Sequence, residues 1–257
     1  MSLLPAAFIV EGVSVVGLAY FFWTSEPDPN PGLDVYTSIY SGIAGTTPQA
    51  ATPSVESWRY NFVKRSIDVI CSLIMLTIFV LPGCLISLMI ALTSKGPVFY
   101  REMRIGRYGN LFQIWKFRSM YTDAERRSKL RDQADGTYWR LLKSADDPRI
   151  TRVGHFLRKW SLDELPQLLN VLIGNMSLVG PRPIVEAEIT VYGEALVDYL
   201  AAIPGISGLW QVSGRSNIGY GQRAKLDATY VKEWTLKGDF HILLQTIPVV
   251  LKRIGAL

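Results

Sequence analysis

Cysteine is nearly absent. The 257-residue chain has two, Cys71 and Cys84, both inside one apolar run. That excludes a disulfide framework and any cysteine-based zinc spacing, and it fits a reducing compartment for the globular part. Histidine is as scarce: His155 and His241 stand alone on semi-apolar segments and read as structural. No GxxxxGK[ST] loop occurs, which argues against ordinary P-loop ATP chemistry. The glycine patterns "GRYGN" and "GISGLWQVSG" lack the strand-to-helix setting of a dinucleotide fingerprint. No internal repeat is visible, and the start of the chain lacks the basic residues of a secretory signal peptide.

Apolar residues and positive charge are plentiful. Hydrophobic residues make up 49% and the formal net charge is +5. The first points to membrane contact. The second points to an anionic partner: a membrane surface, nucleic acid or a phosphorylated substrate. Between Lys95 and Lys159 sixteen Lys and Arg face seven Asp and Glu.

Two stretches are apolar enough for a bilayer. "LLPAAFIVEGVSVVGLAYFFW" (3–23) is expected to form a transmembrane helix, with Glu11 tolerated inside it. "IDVICSLIMLTIFVLPGCLISLMIALT" (67–93) is interrupted by Pro82-Gly83, and proline breaks or kinks a helix. Lys64 and Arg65 precede it; Lys95, Arg101, Arg104 and Arg107 follow it. Basic flanks favour the cytoplasmic side, so both ends can lie on one face. A kinked span and a helix that dips in and returns are both open on these residues.

Residues 25–57 are rich in Pro, Gly, Ser and Thr and read as a linker. Beyond residue 94, "PVFYRE" and "LFQIWKF" flank "GRYGN" and predict a short hairpin. "YTDAERRSKLRDQAD" is a polar, helix-prone stretch. "DPRITRVGHFLRKW" predicts a turn and then an amphipathic helix, with Phe156, Leu157 and Trp160 on one face. "EAEITVYGEALVDYL" and "YGQRAKLDATYVKEWTL" have helical spacing. "DFHILLQTIPVVLKRIGAL" suits either a core helix or one lying at a membrane interface.

The candidate chemistry centres on "SLDELP". Ser161 and Glu164 fit a capping box, with Asp163 complementing the helix dipole. Yet Arg149, Arg152, Arg158 and Arg182 crowd the pair in sequence, and arginine forks match phosphate oxygens. Arg182 sits in a rigid "GPRP" loop. Two carboxylates among phosphate-binding arginines make sense with Mg²⁺, which takes one or two carboxylates together with substrate phosphates. One carboxylate can then hold metal while its neighbour attacks phosphorus. Lys116 and Arg118 flank Phe117 in an apolar strand, so at least one of them is expected to face a polar cleft.

The motifs "KRSIDV", "GPVFYREMRIGRYGNLFQIWKFRSM", "DPRITRVGHFLRKWSLDELPQLLNVLIGNMSLVGPRP" and "PGISGLWQVSGRSN…LDATYV" resemble the bacterial sugar transferases of the monotopic phosphoglycosyl transferase superfamily. The resemblance covers residues 60–257; the first 57 residues do not share it. It implies transfer of a sugar-1-phosphate from a UDP-sugar to undecaprenyl phosphate, with release of UMP, as the opening step of exopolysaccharide, O-antigen or related glycan assembly. By the same resemblance Asp163 is the nucleophile that carries the phosphosugar, Glu164 helps to hold Mg²⁺ beside it, and Arg182 contacts phosphate. Lys116, Arg118 and Arg158 are further phosphate-binding candidates, and Asp227 falls at another functional position. Lys64, Arg65, Asp68 and Pro82 match a re-entrant membrane helix anchored by a basic pair and an aspartate.

The expected fold is therefore α+β and mainly helical: a membrane-associated globular domain with a short β-hairpin. Its parts are an N-terminal transmembrane helix (1–24), a linker (25–57), a proline-broken re-entrant helix (58–93) and a catalytic domain (94–257). The expected place is the bacterial inner membrane, with the catalytic domain on the cytoplasmic face. Membrane lipids are expected partners and nucleic acid is not; a homodimer is one candidate assembly. The sugar is left open. A non-catalytic scaffold of a polysaccharide assembly complex is the alternative; it explains anchor and basic surface but not the co-occurrence of Asp163, Glu164 and Arg182. A hydrolase using water as acceptor is a third reading.

Overall fold

The computed structural model describes residues 59–124, 126, 147–215 and 218–253. The expected N-terminal transmembrane helix, the linker and most of the polar stretch after Tyr121 lie outside the described residues.

A π-helical turn, Arg59–Lys64, runs into the long helix α1, Arg65–Thr93. Pro82 lies in its interior, and helix continues on both sides. The burial pattern of α1 is inverted relative to a soluble helix. Asp68 and Ser72 are buried, whereas Ile70, Ile74, Ile78, Leu81, Leu85 and Leu88 are exposed. Only 11% of its most apolar window is covered by protein. An apolar face this large and uncovered marks membrane contact, and the helix from Tyr60 to Thr93 is long and apolar enough to cross a bilayer.

Next come β1 (Phe99–Ile105) and β2 (Leu111–Phe117), the expected hairpin, with Phe99 opposite Phe117 and Ile105 opposite Leu111. Its turn places Tyr108 and Gly109 in the left-handed region, at φ 58° and 78°. Gly106 N donates to Asn110 O at 2.8 Å and closes it. Helix α2 (Arg152–Lys159) starts at Thr151, whose Oγ1 accepts from Gly154 N at 2.8 Å. Leu157 of α2 is fully buried, but Phe156 is half exposed, so the two do not share an inward face as the spacing suggested.

Helix α3 (Gln167–Ile173) ends at Gly174, φ 97°. A three-residue strand, β3 (Ser177–Val179), pairs in parallel with β4 (Gly205–Ser207). Between them lie α4 (Ile189–Tyr192) and α5 (Ala195–Ala201), separated at Gly193. After β4 come α6 (Leu209–Val212), α7 (Tyr220–Lys232) and α8 (Leu236–Leu251).

One core joins the start of the membrane segment to the domain: Tyr60 packs with Phe112, Leu168, Val171, Met176 and Trp234. A second lies under the 180–184 loop, built on Ile105, Ile184, Tyr192, Leu196 and Tyr199. A third gathers Ile86 and Ile90 of α1 with Phe117 and Leu157.

The anchor motif at the head of α1 is resolved into three separate ties. Lys64 Nζ lies 2.6 Å from Asp239 Oδ2, with both side chains buried. Asp239 also accepts from Tyr230 Oη at 2.8 Å and Trp234 Nε1 at 3.0 Å. Arg65 donates to the carbonyls of Val171 and Leu172, satisfying the orphan C-terminal acceptors of α3. Asp68 Oδ1 accepts from Leu178 N at 3.0 Å. The far end of α1 is tied as well: Arg118 Nη2 donates to Ser94 O at 2.7 Å and to Ser94 Oγ at 2.8 Å.

Candidate functional site

Asp163 and Glu164 share one 3₁₀ turn, Leu162–Glu164, between α2 and α3. The chain enters it through Ser161, which is left-handed at φ 54°. Ser161 makes no capping hydrogen bond, so the expected capping box is not formed. Its Oγ instead accepts from Arg215 Nη2 at 2.9 Å. Glu164 reaches across to β2, where Lys116 Nζ donates to Oε1 at 3.0 Å. A cation gives a carboxylate a stronger partner than a backbone amide does, and that outweighs the local cap.

The turn is held on both sides. Gly154 of α2 presses on the Ser119 backbone, where an added Cβ would sit 1.9 Å from Ser119 O. Asn170 of α3 is fully buried and mimics a strand: its Oδ1 accepts from Trp115 N at 3.0 Å and its Nδ2 donates to Gln113 O at 2.8 Å. Hairpin and α3 are thereby fixed relative to each other, and with them Lys116 and the acidic turn.

Burial raises the Asp163 carboxyl, and the adjacent Glu164 pushes the same way; Lys116 and Arg158 pull back only in part. Burial also acts to raise Glu164, but Lys116, Arg182 and Arg215 outweigh it and hold that carboxyl well below the usual range. Two neighbouring carboxylates are thus split in acidity by their surroundings. Asp163 is 9% exposed.

Arg158 Nε donates to Ser119 Oγ at 2.8 Å, and its charge reaches Asp163. Arg149 is engaged by Asp147 through Nε and Nη2, at 2.6–3.0 Å. Arg182 stands on a loop pinned from several sides. Gly180 N donates to Ser207 O and Gly205 N to Pro181 O, both at 2.8 Å; Arg104 Nη1 donates to Pro183 O at 3.2 Å. A Cβ on Gly180 would meet Ile203 O at 2.4 Å, so glycine is required for that close approach. The Arg182 guanidinium lies 5.7 Å from the Trp210 ring centre.

Asp227 is fully buried on α7 and accepts from Tyr192 Oη at 2.8 Å. Burial pushes its carboxyl up to about 7, opposed by the Tyr192 bond and by Arg182 and Arg223. Of the residues expected at the site, Asp163, Glu164, Lys116, Arg158 and Arg182 meet through contact or charge, and Asp227 joins through Arg182. Arg118 turns away to Ser94, and Pro82 stays inside α1. Arg215 and Arg223 were not singled out from sequence. The charged "SGRSN" segment was a signal for the first; Arg223 gave none, being one basic residue in a helix-spaced stretch.

Among the described residues no group of three or more His, Cys, Asp and Glu converges. Asp163 accepts no hydrogen bond from another side chain there, and one oxygen of Glu164 is taken by Lys116. This donor set is too small for a closed metal cage. It fits Mg²⁺ shared between protein carboxylates and substrate phosphates.

Residues 59–253 match the family model described as bacterial sugar transferase, and the chain belongs to that family. It is 48% identical over 205 residues to the undecaprenyl-phosphate galactose phosphotransferase of Salmonella typhimurium, covering 76% of this chain and 42% of that protein. It is 43% identical over 194 residues to the exopolysaccharide production protein ExoY of Rhizobium meliloti, covering 74% of this chain and 86% of that one. Against the UDP-glucose:undecaprenyl-phosphate glucose-1-phosphate transferase of Caulobacter vibrioides identity is 40% over 196 residues, 73% of this chain and 69% of that protein. The matched region spans less than half the length of the Salmonella relative.

Proposed function

We propose that the protein moves a sugar-1-phosphate from a UDP-sugar to undecaprenyl phosphate in two displacements at one carboxylate. An Asp163 oxygen attacks the sugar-bearing phosphorus. The bridging P–O bond breaks and UMP leaves with the electron pair. A phosphate oxygen of the lipid then attacks the same phosphorus and displaces Asp163, giving a lipid-diphosphate-linked sugar. The observation that carries this reading is the split pair. Ion pairing commits Glu164 to the anionic state, whereas Asp163 is held basic and close to Lys116 and Arg158, where phosphate charge is accommodated.

Asp163 and Glu164 are the residues that would hold Mg²⁺ together with substrate phosphates; the cation would neutralise phosphate charge there. Lys116 orients Glu164, and Arg182 binds phosphate. The names of the Salmonella and Caulobacter relatives support the lipid acceptor and a nucleotide-sugar donor.

Membrane seating follows the same proposal. The helix α1 enters the inner membrane from the cytoplasmic face and returns. Hydrogen bonds from both of its ends to one globular unit support this, because a full span would carry one end about 30 Å away. The seating sets the acidic turn near the headgroups, where the lipid phosphate lies.

The test is incubation of purified protein with labelled UDP-sugars, undecaprenyl phosphate and Mg²⁺. Lipid-linked product from at least one UDP-hexose is expected. UMP or sugar phosphate released equally with and without the lipid would favour a hydrolase, and no turnover with any donor would favour a scaffold.

A further inference from the structure

Arg223 of α7 is 8% exposed, yet its guanidinium is not consumed by the protein. Nε donates to Ile218 O at 3.1 Å, which fixes the plane. The two terminal nitrogens make no hydrogen bond among the described residues, and neither is sealed from solvent. The same guanidinium stacks on Trp210 at 4.8 Å and on Tyr220 at 4.7 Å from the ring centres. Arg182 shares the Trp210 platform at 5.7 Å, and no carboxylate among the described residues comes within ion-pair distance of it. Trp210 Nε1 is a further buried donor without an acceptor.

The local balance is two guanidinium groups and an indole donor against one buried carboxylate, Asp227, which already accepts from Tyr192. A rigid fork with free N–H groups on an aromatic platform is the arrangement that takes a phosphate oxygen. Arg215, five residues past Trp210, donates through Nη2 to Ser161 Oγ at 2.9 Å, so the chain that carries the Trp210 platform also touches the acidic turn. Arg182 and Arg223 face the same Trp210 ring and so stand side by side.

We propose that Arg223, seated on Trp210 beside Arg182, binds the phosphate that departs with the nucleotide, so that Arg182 and Arg223 hold the two donor phosphates side by side. This rests on the two-displacement reading above. In the first displacement the new Asp163 O–P bond forms and the bridging O–P bond breaks. Arg223 then faces the oxygen that gains charge on UMP. The lipid phosphate later attacks the same phosphorus in line, opposite Asp163, so it enters the place that UMP has left and meets Arg223 there. Donor, product and acceptor affinity should all depend on Arg223.

The experiment compares wild type with Arg223→Gln and Arg223→Lys. Steady-state constants are measured for donor and for undecaprenyl phosphate, and UMP binding to each protein is measured directly without turnover. Arg223→Gln is expected to raise KM for the UDP-sugar and to weaken UMP binding by about 10- to 100-fold. Acceptor KM should rise as well, and Arg223→Lys should restore part of each loss. A thermal unfolding curve checks that each variant folds; if Arg223→Gln does not, Arg223→Lys and Trp210→Phe are read in its place, both expected to weaken UMP. Unchanged donor KM and UMP binding, or a rise confined to acceptor KM, would overturn the assignment. Absence of lipid product with wild type would count against the transferase reading alone, because UMP binding still reports on Arg223.

Discussion

Lys116 Nζ lies 3.0 Å from Glu164 Oε1, joining strand β2 to the turn that carries Asp163 across 48 residues of sequence. Burial acts to raise both carboxyls, and the Lys116 charge opposes it at each. Replacing Lys116 by Met removes the strongest charge that keeps Glu164 ionised and one of two cations that lower Asp163. Both carboxyls should then bind protons at higher pH. In wild type the acid limb of the kcat/KM profile should lie above the ordinary aspartate value of about 4. In Lys116→Met it should move higher still, with activity at pH 7.5 reduced by at least about tenfold. An unmoved acid limb would separate Lys116 from the pair.

Stability should run against activity at Asp163. Its folded pKa is raised, so the folded state holds the proton more tightly than the unfolded chain. That contribution is complete below about pH 4 and is lost as pH rises through the folded value. At pH 8 the protein carries the cost of a buried carboxylate, and Asp163→Asn should unfold at a higher temperature than wild type while making no lipid product. Below about pH 4 the difference should vanish. The sign is the same at Asp227, whose contribution fades as pH rises through about 7.

The anchor can be broken one tie at a time. Lys64→Met leaves Asp239 buried with Tyr230 and Trp234 but without its cation, and should cost about 3–5 kcal/mol. Arg65→Ala leaves the Val171 and Leu172 carbonyls unpaired at the end of α3 and should cost about 1.5–3 kcal/mol. Unfolding in detergent, followed by α-helical signal, reads both.

Re-entry predicts a labelling pattern. In a protein with Cys71 and Cys84 replaced by Ala, Phe62→Cys and Lys95→Cys should both react with an impermeant maleimide from the cytoplasmic side only. Protection of one and reaction of the other from each side would mean a full span.

The parts legible in sequence were those fixed locally. The hairpin was announced by "GRYGN" between aromatic runs, and the long apolar helix by its composition. The site was legible as residue types: Asp163, Glu164 and Arg182 stand out wherever they fold. Long-range pairing was not legible. The capping box at Ser161 was a sound local expectation, but Lys116 and Arg215 took its two side chains from 48 and 54 residues away. The β3–β4 pair has three residues per strand and no periodicity to read; close packing of Gly180 on Gly205 makes it, and it aims Arg182. Arg118 looked like Lys116 in sequence, yet it lies one residue past the end of β2 and turns to Ser94.

The central claim is a covalent phosphosugar on Asp163, and isotope exchange tests it most directly. Purified protein is mixed with unlabelled UDP-sugar, Mg²⁺ and radiolabelled UMP, with no lipid acceptor. The two-displacement account predicts label appearing in UDP-sugar with wild type and none with Asp163→Asn. Exchange that needs undecaprenyl phosphate, or that persists in Asp163→Asn, would contradict it.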